Sequence, residues 1–280
     1  MNIIDLQKRF STQHKCEVFL RSKRWPKGVT CPRCDTAQPY WISTRKIWRC
    51  RNCSYEFSVT TGTIFHRSRT SLQKWYTAIW LMCYSKKGIS AKQLERSLGV
   101  TYKTAWRMGM QIRKAMKPGY NFENKLCGIV EADDAYIGGK KSGGKRGRGA
   151  PGKEIVVGFK ERGGDVVAQV VQNLKADTLA PLLDAFVSVG AELLVTDELK
   201  SYAKAAGGRR HETVCHSETF VNGNVHTMGM ENFWSLFKRA IIGVYHRVSA
   251  KYLQVYLNEF VFRFNHRHDE DLFGLVLANC

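Results

Sequence analysis

The chain has 280 residues, of which 44% are hydrophobic, so it is long enough for two or three domains and apolar enough to bury a core. This composition excludes an intrinsically disordered protein. No apolar run approaches the ~20 residues needed to span a bilayer, which excludes a membrane-spanning protein. The first ten residues, MNIIDLQKRF, are not followed by an apolar stretch and a cleavage site, so we expect no secretory signal peptide.

Positive charge is concentrated in the N-terminal half of the chain. The whole chain carries 44 Lys and Arg against 24 Asp and Glu, a net charge of +20. Residues 1–127 hold 25 of the basic and 6 of the acidic residues, a net charge of +19, whereas residues 128–280 are nearly balanced at +1. Solubility alone does not require such one-sided charge. We therefore interpret the basic half as a binding region for a polyanion, most often nucleic acid.

The first 30 residues are predicted to form a short helix, from Asp5 to Leu20, followed by the basic connector RSKRWPKG. Two Cys-x-x-Cys pairs follow, with 15 residues between them, in a segment whose alternating residues predict short strands. The chain has nine cysteines, an odd number, and no export signal, so we do not expect disulfides.

The spacing of the two cysteine pairs is typical of a zinc ribbon, here over residues 31–65. Four thiolates fill the tetrahedral shell of Zn²⁺ and leave no position for water, so the predicted site is structural. A segment this small cannot hold a core alone, and the metal supplies the missing folding energy. A redox role for the pairs is the alternative, but two matched pairs favour zinc. The predicted ligands are Cys31, Cys34, Cys50 and Cys53.

Residues 70–118 are predicted to be helical, with apolar residues every three or four positions and a stop at Pro118. Within this region, Ser90 can cap one helix, Gly99 makes a turn, and Thr101 opens a second helix with basic residues. This order is typical of a helix-turn-helix, whose second helix enters the DNA major groove. An ordinary helical hairpin is the alternative, but the turn glycine and the basic surroundings favour DNA. The residues predicted to contact DNA are Tyr102, Lys103, Thr104 and Arg107.

From residue 126 onward the pattern changes to strands and helices in the order β-β-β-α-β-α-β-α. This order predicts a mixed α/β sheet with helices packed on it. A glycine-rich basic stretch, residues 138–153, lies between the first two strands, and we interpret it as a DNA-contacting loop. Its predicted contacts are Lys140, Lys141, Lys145, Arg146 and Arg148.

Three acidic residues of the α/β region are candidates for one site. Asp133 lies on the first strand, where alternation puts Glu131 on the same face and turns Asp134 to the other face. Asp197 ends a later buried strand, which is where α/β sheets place functional groups. Glu231 lies near the start of an amphipathic helix. The neighbouring acids Glu131, Asp134 and Glu198 are interpreted as bystanders.

Carboxylates from two strands and a helix can converge and hold two metal ions, which clamp the attacking and leaving oxygens of a phosphoryl transfer. Mg²⁺ suits such a site because it takes few protein carboxylates and keeps positions for water and phosphate. Lys238 follows Glu231 by seven residues, so two helical turns bring both side chains to one face of the helix.

Several motifs together resemble those of small insertion-sequence transposases of the ISXO-like group, over about residues 10–270. Beside the two cysteine pairs, these motifs are TGTIF (61–65), VEADDAYIGGK (130–140), TDE (196–198), HTMGMENFWSLFKR (226–239), YHRVS (245–249) and FRFNHR (262–267).

The resemblance implies an RNase H-like fold for residues 126–270, a divalent metal, Mg²⁺ or Mn²⁺, and cutting and joining of DNA at inverted repeats. It also implies that the three acids of the D-D-E site are Asp133, Asp197 and Glu231, with Lys238 as the basic partner. The predicted architecture is therefore multi-domain, with a zinc ribbon, an all-α helix-turn-helix and an α/β catalytic domain.

From these features we expect a DNA transposase of the prokaryotic cytoplasm, associated with the nucleoid, that acts on double-stranded DNA at transposon ends and targets. Because an element has two ends, we expect a homodimer or a larger assembly on DNA. The sequence leaves two alternatives open. One is a DNA-binding regulator with an inactive catalytic domain, and the other is an RNase H-like nuclease that cuts without strand transfer.

Overall fold

The computed structural model describes residues 1–116, 125–138, 152–214 and 225–280. The chain forms two compact units, one of residues 1–116 with 269–280 and the other of residues 117–268. Among the described residues, no helix has the length and apolar composition that crossing a membrane requires. Five predicted DNA contacts lie outside the described residues: Lys140, Lys141, Lys145, Arg146 and Arg148.

The first unit begins with two helices, α1 (Ile3–Arg9) and α2 (Gln13–Arg24). The prediction of one helix from Asp5 to Leu20 is therefore wrong. The side chain of Thr12 accepts a hydrogen bond from the backbone amide of Lys15 at 3.3 Å, so Thr12 caps a new helix instead of continuing the first.

The segment with the cysteine pairs forms a small antiparallel sheet in the order β1-β2-β3, made of β1 (Tyr40–Ile42), β2 (Ile47–Arg49) and β3 (Glu56–Phe57). Trp48 on the central strand is buried, with its ring centroid 4.5 Å from that of Trp41 and 6.0 Å from that of Phe57. The ring of Trp25 packs on Trp48 and Phe57, with its centroid 5.7 Å from that of Trp48, so aromatic contacts supply the apolar packing of a sheet that is too small for a deep core.

Helices complete the first unit: α3 (Leu72–Tyr84), α4 (Ala91–Leu98), α5 (Tyr102–Ala115) and a C-terminal helix (Leu272–Ala278). Tyr76 is at the centre of their core, since its ring centroid lies 4.9 Å from that of Phe10 and 5.5 Å from that of Phe273. Its buried hydroxyl donates to the backbone carbonyl of Cys16 at 2.9 Å. The end of the chain therefore contributes to the core of the unit that holds its beginning.

The turn between α4 and α5 follows from three residues. The hydroxyl of Ser90 accepts the backbone amide of Gln93 at 3.1 Å at the start of α4. Gly99 ends α4 with φ at +58°, the left-handed conformation that glycine adopts without strain. Thr101 caps α5 by accepting the amide of Thr104 at 3.3 Å. The caps and the turn are those that the sequence predicts.

The second unit is a five-stranded mixed sheet with helices on it, in the predicted element order. The strands lie in the order β6-β5-β4-β7-β8, with β4, β5 and β6 antiparallel and with β7 and β8 parallel to β4. The elements are β4 (Ile129–Ile137), β5 (Glu154–Glu161), β6 (Val166–Val171), α6 (Ala176–Phe186), β7 (Leu193–Asp197), α7 (Lys200–Ala205), β8 (His211–Val214), α8 (Met228–Ala240), a π-helix (Ile241–Tyr245) and α9 (Ala250–Asn265).

Each face of this sheet is covered by a different pair of helices. Val130 and Ala132 of β4 pack with α6 and α7, whereas Ala135 and Ile137 pack with α8 and α9. The alternation along β4 thus puts Glu131 and Asp133 on the face that α8 covers.

A glycine in β5 allows α8 to lie directly on the sheet. Gly158 is the register partner of Asp133, and a Cβ atom at this position would collide with Met230 and lie 2.7 Å from Cζ2 of Trp234. Both side chains belong to α8 and are buried. The separation between α8 and the strand that carries Asp133 therefore depends on the missing side chain of Gly158.

We expect Gly158→Ala to destabilise the fold, because α8 has to move away from the sheet. Overpacking of this kind costs roughly 1–3 kcal/mol. Urea denaturation measures the free energy of unfolding. Gly190→Ala is the matched control, since a Cβ there meets only the hydroxyl of Ser188 at 3.7 Å. Equal free energies of unfolding for the two variants would contradict the close approach.

Candidate metal centres and active site

The four cysteines of the two pairs converge on one point. Their Sγ atoms are separated by 3.6 Å between Cys31 and Cys53, by 3.5 Å between Cys34 and Cys50, and by 3.4 Å between Cys34 and Cys53. Zn–S bonds of ~2.3 Å in a tetrahedron place sulfur atoms ~3.8 Å apart, so the donor set fits a four-coordinate metal. All four ligand positions come from the chain, which leaves none for a reacting molecule.

The surroundings of Cys34 favour the metal-binding form of its thiol. Its Sγ lies 3.2 Å from the hydroxyl of Thr36, and hydrogen bonding by Thr36 lowers the pKa of the Cys34 thiol from 9.0 to about 6. A thiolate is the form that ligates zinc.

A second cluster lies where β4 and β7 run side by side. These strands are parallel, with Ala132 beside Thr196, so the next residue of each strand, Asp133 and Asp197, lies at the same level of the sheet. An oxygen of each carboxylate lies within 4.8 Å of the other. Asp197 is buried and its Oδ1 accepts the backbone amide of Leu199 at 3.1 Å.

Asp134 joins this cluster, although strand alternation predicts that it faces away. One of its oxygens lies within 4.8 Å of those of Asp133 and Asp197. The pairing of β4 with β7 ends at Ala132, directly before the two aspartates. The backbone amide of Asp134 also donates to Oδ1 of Asp133 at 2.8 Å. The prediction that Asp134 points away from Asp133 is therefore wrong, whereas its interpretation as a bystander of the site stays a prediction.

These three carboxylates fit a divalent cation. Hard cations take oxygen ligands at ~2.0–2.6 Å, so ligands on opposite sides of one ion are ~4–5 Å apart. One oxygen of each carboxylate lies within this span of the other two. The cluster thus has the donor type and the spacing that a cation requires.

Helix α8 borders the same site. Glu231, Ser235 and Lys238 line a cavity of about 370 Å³ together with Asp133 and Asp134. Glu231 and Lys238 are exposed on one face of α8 and stand two turns apart. Glu231 lies outside the group of oxygens that converge within 4.8 Å. The site is therefore open on the side of α8, where a ligand could reach the aspartates.

The electrostatics of the cluster are dominated by burial. Burial raises the pKa of the Asp133 carboxyl from 3.8 to about 7, and the neighbouring charge of Asp134 raises it as well. The hydrogen bond from the amide of Asp134 acts in the opposite direction, and the charges of Asp197 and Glu231 raise the pKa further. Ionisation of the buried Asp133 carboxyl therefore costs free energy, and a bound cation would lower this cost.

The interpretation of Glu131 as a bystander misses a contact within this unit. Glu131 is only 1% exposed, and its Oε1 accepts a hydrogen bond from Nε of Arg162 at 2.9 Å. The strand pattern places Glu131 on the face of Asp133, but no sequence signal connects it with Arg162 in the β5–β6 turn.

The predicted DNA-contacting residues stand on the N-terminal part of α5. Tyr102 is 51% exposed, Lys103 and Arg107 are exposed, and Thr104 is half-buried. Arg113, which the sequence also puts on this helix, is 3% exposed and belongs to its buried face. An exposed surface of two cations and an aromatic ring is available at the start of this helix.

Two sequence profiles match the chain. The ISXO2-like transposase domain matches residues 125–265, half of the chain, and the transposase zinc-ribbon domain matches residues 11–56. A curated relative, an uncharacterised protein in transposable element ISH50 of Halobacterium salinarum, is 27% identical over 276 residues, which cover 91% of this chain and 92% of the relative. A solved structure, the Mos1 transposase paired-end complex with left transposon end, aligns with 73% of this chain and 78% of its own at 14% identity and a TM-score of 0.29.

We expect one equivalent of zinc per chain, and Cys50→Ser to lose it, because three thiolates leave the tetrahedral shell incomplete. Loss of zinc should also unfold the small sheet, which its own apolar contacts cannot hold. Metal content is measured by elemental analysis, and folding of the sheet by the near-ultraviolet signal of Trp41 and Trp48. Cys127→Ser, at an exposed cysteine of the other unit, is the control. A Cys50→Ser protein with full zinc content would contradict the assignment.

We expect Asp133→Asn to raise the melting temperature at pH 8 without added Mg²⁺. The folded chain keeps the Asp133 proton up to about pH 7, whereas the unfolded chain loses it near pH 4. The wild type therefore loses stability progressively as the pH rises between those values, because Asp133 has to ionise in its buried site. The neutral amide of Asn does not ionise and avoids this loss. The difference in melting temperature between Asp133→Asn and the wild type should grow from pH 4 to pH 7 and stay constant at higher pH. Asp165→Asn, at an exposed acid in the β5–β6 turn, is the control. A variant that melts no higher than the wild type at pH 8 would disprove the expectation.

Proposed function

The chain belongs to the ISXO2-like transposase family, and from this premise we propose that it is a DNA transposase that binds the terminal inverted repeats of an insertion sequence and catalyses metal-dependent strand cleavage and strand transfer. The observation that carries the proposal is the convergence of Asp133 and Asp197 from two parallel strands, within 4.8 Å, in a site open towards Glu231 and Lys238. Membership of the family alone does not specify these residues.

We assign the acidic residues as ligands of two Mg²⁺ ions. Asp133 and Asp197 would hold the ions, and Glu231 would contribute a ligand to the second. When bound, the ions lower the pKa of water and neutralise charge on the phosphodiester. Lys238 stands on the exposed face of α8 next to this site, where its ammonium can contact a phosphate oxygen. The assignment is supported by the donor chemistry of the cluster and by the raised pKa of Asp133, which marks an energetic cost of the kind found at functional sites.

The proposed reaction has two steps at one site. In the first, water attacks a phosphodiester at the transposon end, and the bond to the 3′ oxygen breaks to leave a 3′-hydroxyl and a 5′-phosphate. In the second, this 3′-hydroxyl attacks a phosphodiester of target DNA, a new phosphodiester forms, and a target 3′-hydroxyl leaves. Both steps need an in-line arrangement of two oxygens about phosphorus, which carboxylate-bound cations on one sheet edge can provide.

The first unit is proposed to recognise the ends of the insertion sequence. The second helix of the α4–α5 pair enters the major groove through Tyr102, Lys103, Thr104 and Arg107, of which the two cations are exposed. The cysteine-rich sheet, with Zn²⁺ as its metal, adds further contacts. Since residues 1–127 carry a net charge of +19, phosphate contacts should make the affinity steeply dependent on salt. Because an element has two ends, the active form is proposed to be a homodimer or larger assembly on DNA.

We expect purified chain with Mg²⁺ to join labelled DNA that carries the end of its own element to a target plasmid. Asp133→Ala should abolish joining, because the proposed site loses one of the two aspartates that we assign to the ions. Glu192→Ala is the matched control, since Glu192 is an exposed acid at the opposite end of β7 from Asp197. Product is measured on gels that separate cleaved from joined DNA.

Each other outcome of this assay selects a different function. Cleavage without joined product would identify an RNase H-like nuclease. Tight binding with neither product would identify a DNA-binding regulator. Joining that persists in Asp133→Ala would remove Asp133 from the site.

A further inference from the structure

The N-terminus of α8 is not capped by its own N-cap residue. Thr227 is buried there and its side chain makes no capping hydrogen bond. The first amides of a helix have no partner within it and need an acceptor from elsewhere. For Met230, the third residue of α8, the acceptor is Oε2 of Glu131 at 3.0 Å, from a residue 99 positions earlier in the chain. A carboxylate also suits the positive end of a helix dipole.

Glu131 is itself held rigidly. Its Oε1 accepts Nε of Arg162 at 2.9 Å, and Nδ1 of His226 lies 3.5 Å from the same oxygen. Arg162 uses Nη2 to donate to the backbone carbonyl of His226 at 3.0 Å. This ion pair, in which Glu131 is buried and Arg162 is half-buried, therefore connects β4, the turn after β5 and the residues that lead into α8.

The fit between Glu131 and α8 leaves no room for an extra atom. A Cβ atom on Gly229 would lie 2.7 Å from Oε2 of Glu131 and 3.0 Å from Nζ of Lys160. Along the chain, Met230 directly precedes Glu231, and Glu131 precedes Asp133 by two residues on the same strand face. The hydrogen bond from the Met230 amide to Glu131 is thus a short connection between the elements that carry the first and third acids.

We propose that Glu131 is a positioning residue, whose carboxylate caps α8 across the sheet and sets the place of Glu231 relative to Asp133. The inference rests on the proposed function in one respect, the role of Glu231 as the third acid. Both oxygens of Glu131 accept hydrogen bonds within this unit, from Arg162 and from the Met230 amide, so we do not assign it as a further metal ligand. It also lies outside both the cluster of converging oxygens and the cavity lining among the described residues.

The test is a double-mutant cycle between Glu131→Gln and Glu231→Gln in the full chain. If Glu131 acts through Glu231, Glu131→Gln lowers kcat of strand transfer by about 100-fold, the loss that a misplacement of ~1 Å can cause. Affinity for DNA stays within about twofold. The double variant is then no slower than Glu231→Gln alone. Losses that multiply in the double variant would overturn the proposal, and so would a Glu131→Gln protein as active as the wild type.

Calorimetric titration with Mn²⁺ gives a second readout that does not require activity. We expect Glu131→Gln and Glu231→Gln to weaken Mn²⁺ binding by the same factor, and the double variant to weaken it no further. If wild-type chain binds Mn²⁺ but joins no DNA, the proposed function fails while this cycle still tests the role of Glu131. The positioning role of Glu131 would be overturned if Glu231→Gln bound Mn²⁺ more weakly than the wild type but Glu131→Gln bound it equally well.

A matched control separates positioning from simple loss of stability. Glu259→Gln also removes the charge of a fully buried glutamate, which pairs with Arg263 at 3.6 Å and accepts the hydroxyl of Tyr245 at 3.3 Å. We expect it to lower the melting temperature as Glu131→Gln does, with kcat within about twofold of the wild type. An equal loss of kcat in both would overturn the proposal.

Should Glu131→Gln not fold, Gly229→Ala serves in the same cycle, because its Cβ displaces α8 and leaves every charge in place. A Gly229→Ala protein with unchanged kcat and Mn²⁺ affinity would overturn the proposal.

Discussion

The second unit holds the carboxylates of Asp133, Asp134 and Asp197 close together in largely buried surroundings, and the rest of its structure depends on this constraint. Their oxygens lie within 4.8 Å of one another, in surroundings that bury Asp197 and much of Asp133. Like charges this close separate unless covalent structure and packing prevent it. The backbone hydrogen bonds between β4 and β7 fix the level of two of these residues, and the sheet is covered by helices on both faces. The rigidity of the sheet therefore replaces the attraction that a cation would supply.

The position of helix α8 relative to this cluster is set by its packing on the sheet. Its buried residues Phe233 and Phe237 join the core with α9, which leaves Glu231 and Lys238 on the exposed face beside the aspartates. How far α8 stands from the sheet is set by two positions without side chains, Gly158 and Gly229. Packing alone fixes a helix only approximately, since side chains can change rotamer. A buried ionic cap at its first turn fixes both its depth and its direction.

Most local patterns of this chain, and the convergence of Asp133 with Asp197, are predictable from sequence, whereas several contacts of the folded chain are not. The cysteine spacing, the caps Ser90 and Thr101 and the order of strands and helices follow from patterns within a few residues. The break at Thr12 and the convergence of Asp134 do not, because each depends on a competing hydrogen bond or on where a neighbouring strand ends. The cap that Glu131 provides joins residues 99 positions apart, so only the assembled sheet reveals it.

The two clusters of candidate metal ligands affect stability in opposite ways, and this follows from their geometry. The four cysteines close a shell around one point in a sheet with little core, so metal binding there adds to folding. The aspartates are open on the side of α8, and without a cation the burial of the Asp133 carboxylate and its repulsion by Asp134 lower the stability of the fold. A cation that binds between these carboxylates would offset the free-energy cost of holding them close together. A site that stores repulsion in this way binds a cation more tightly than flexible carboxylates would, because the cost of bringing them together is met during folding.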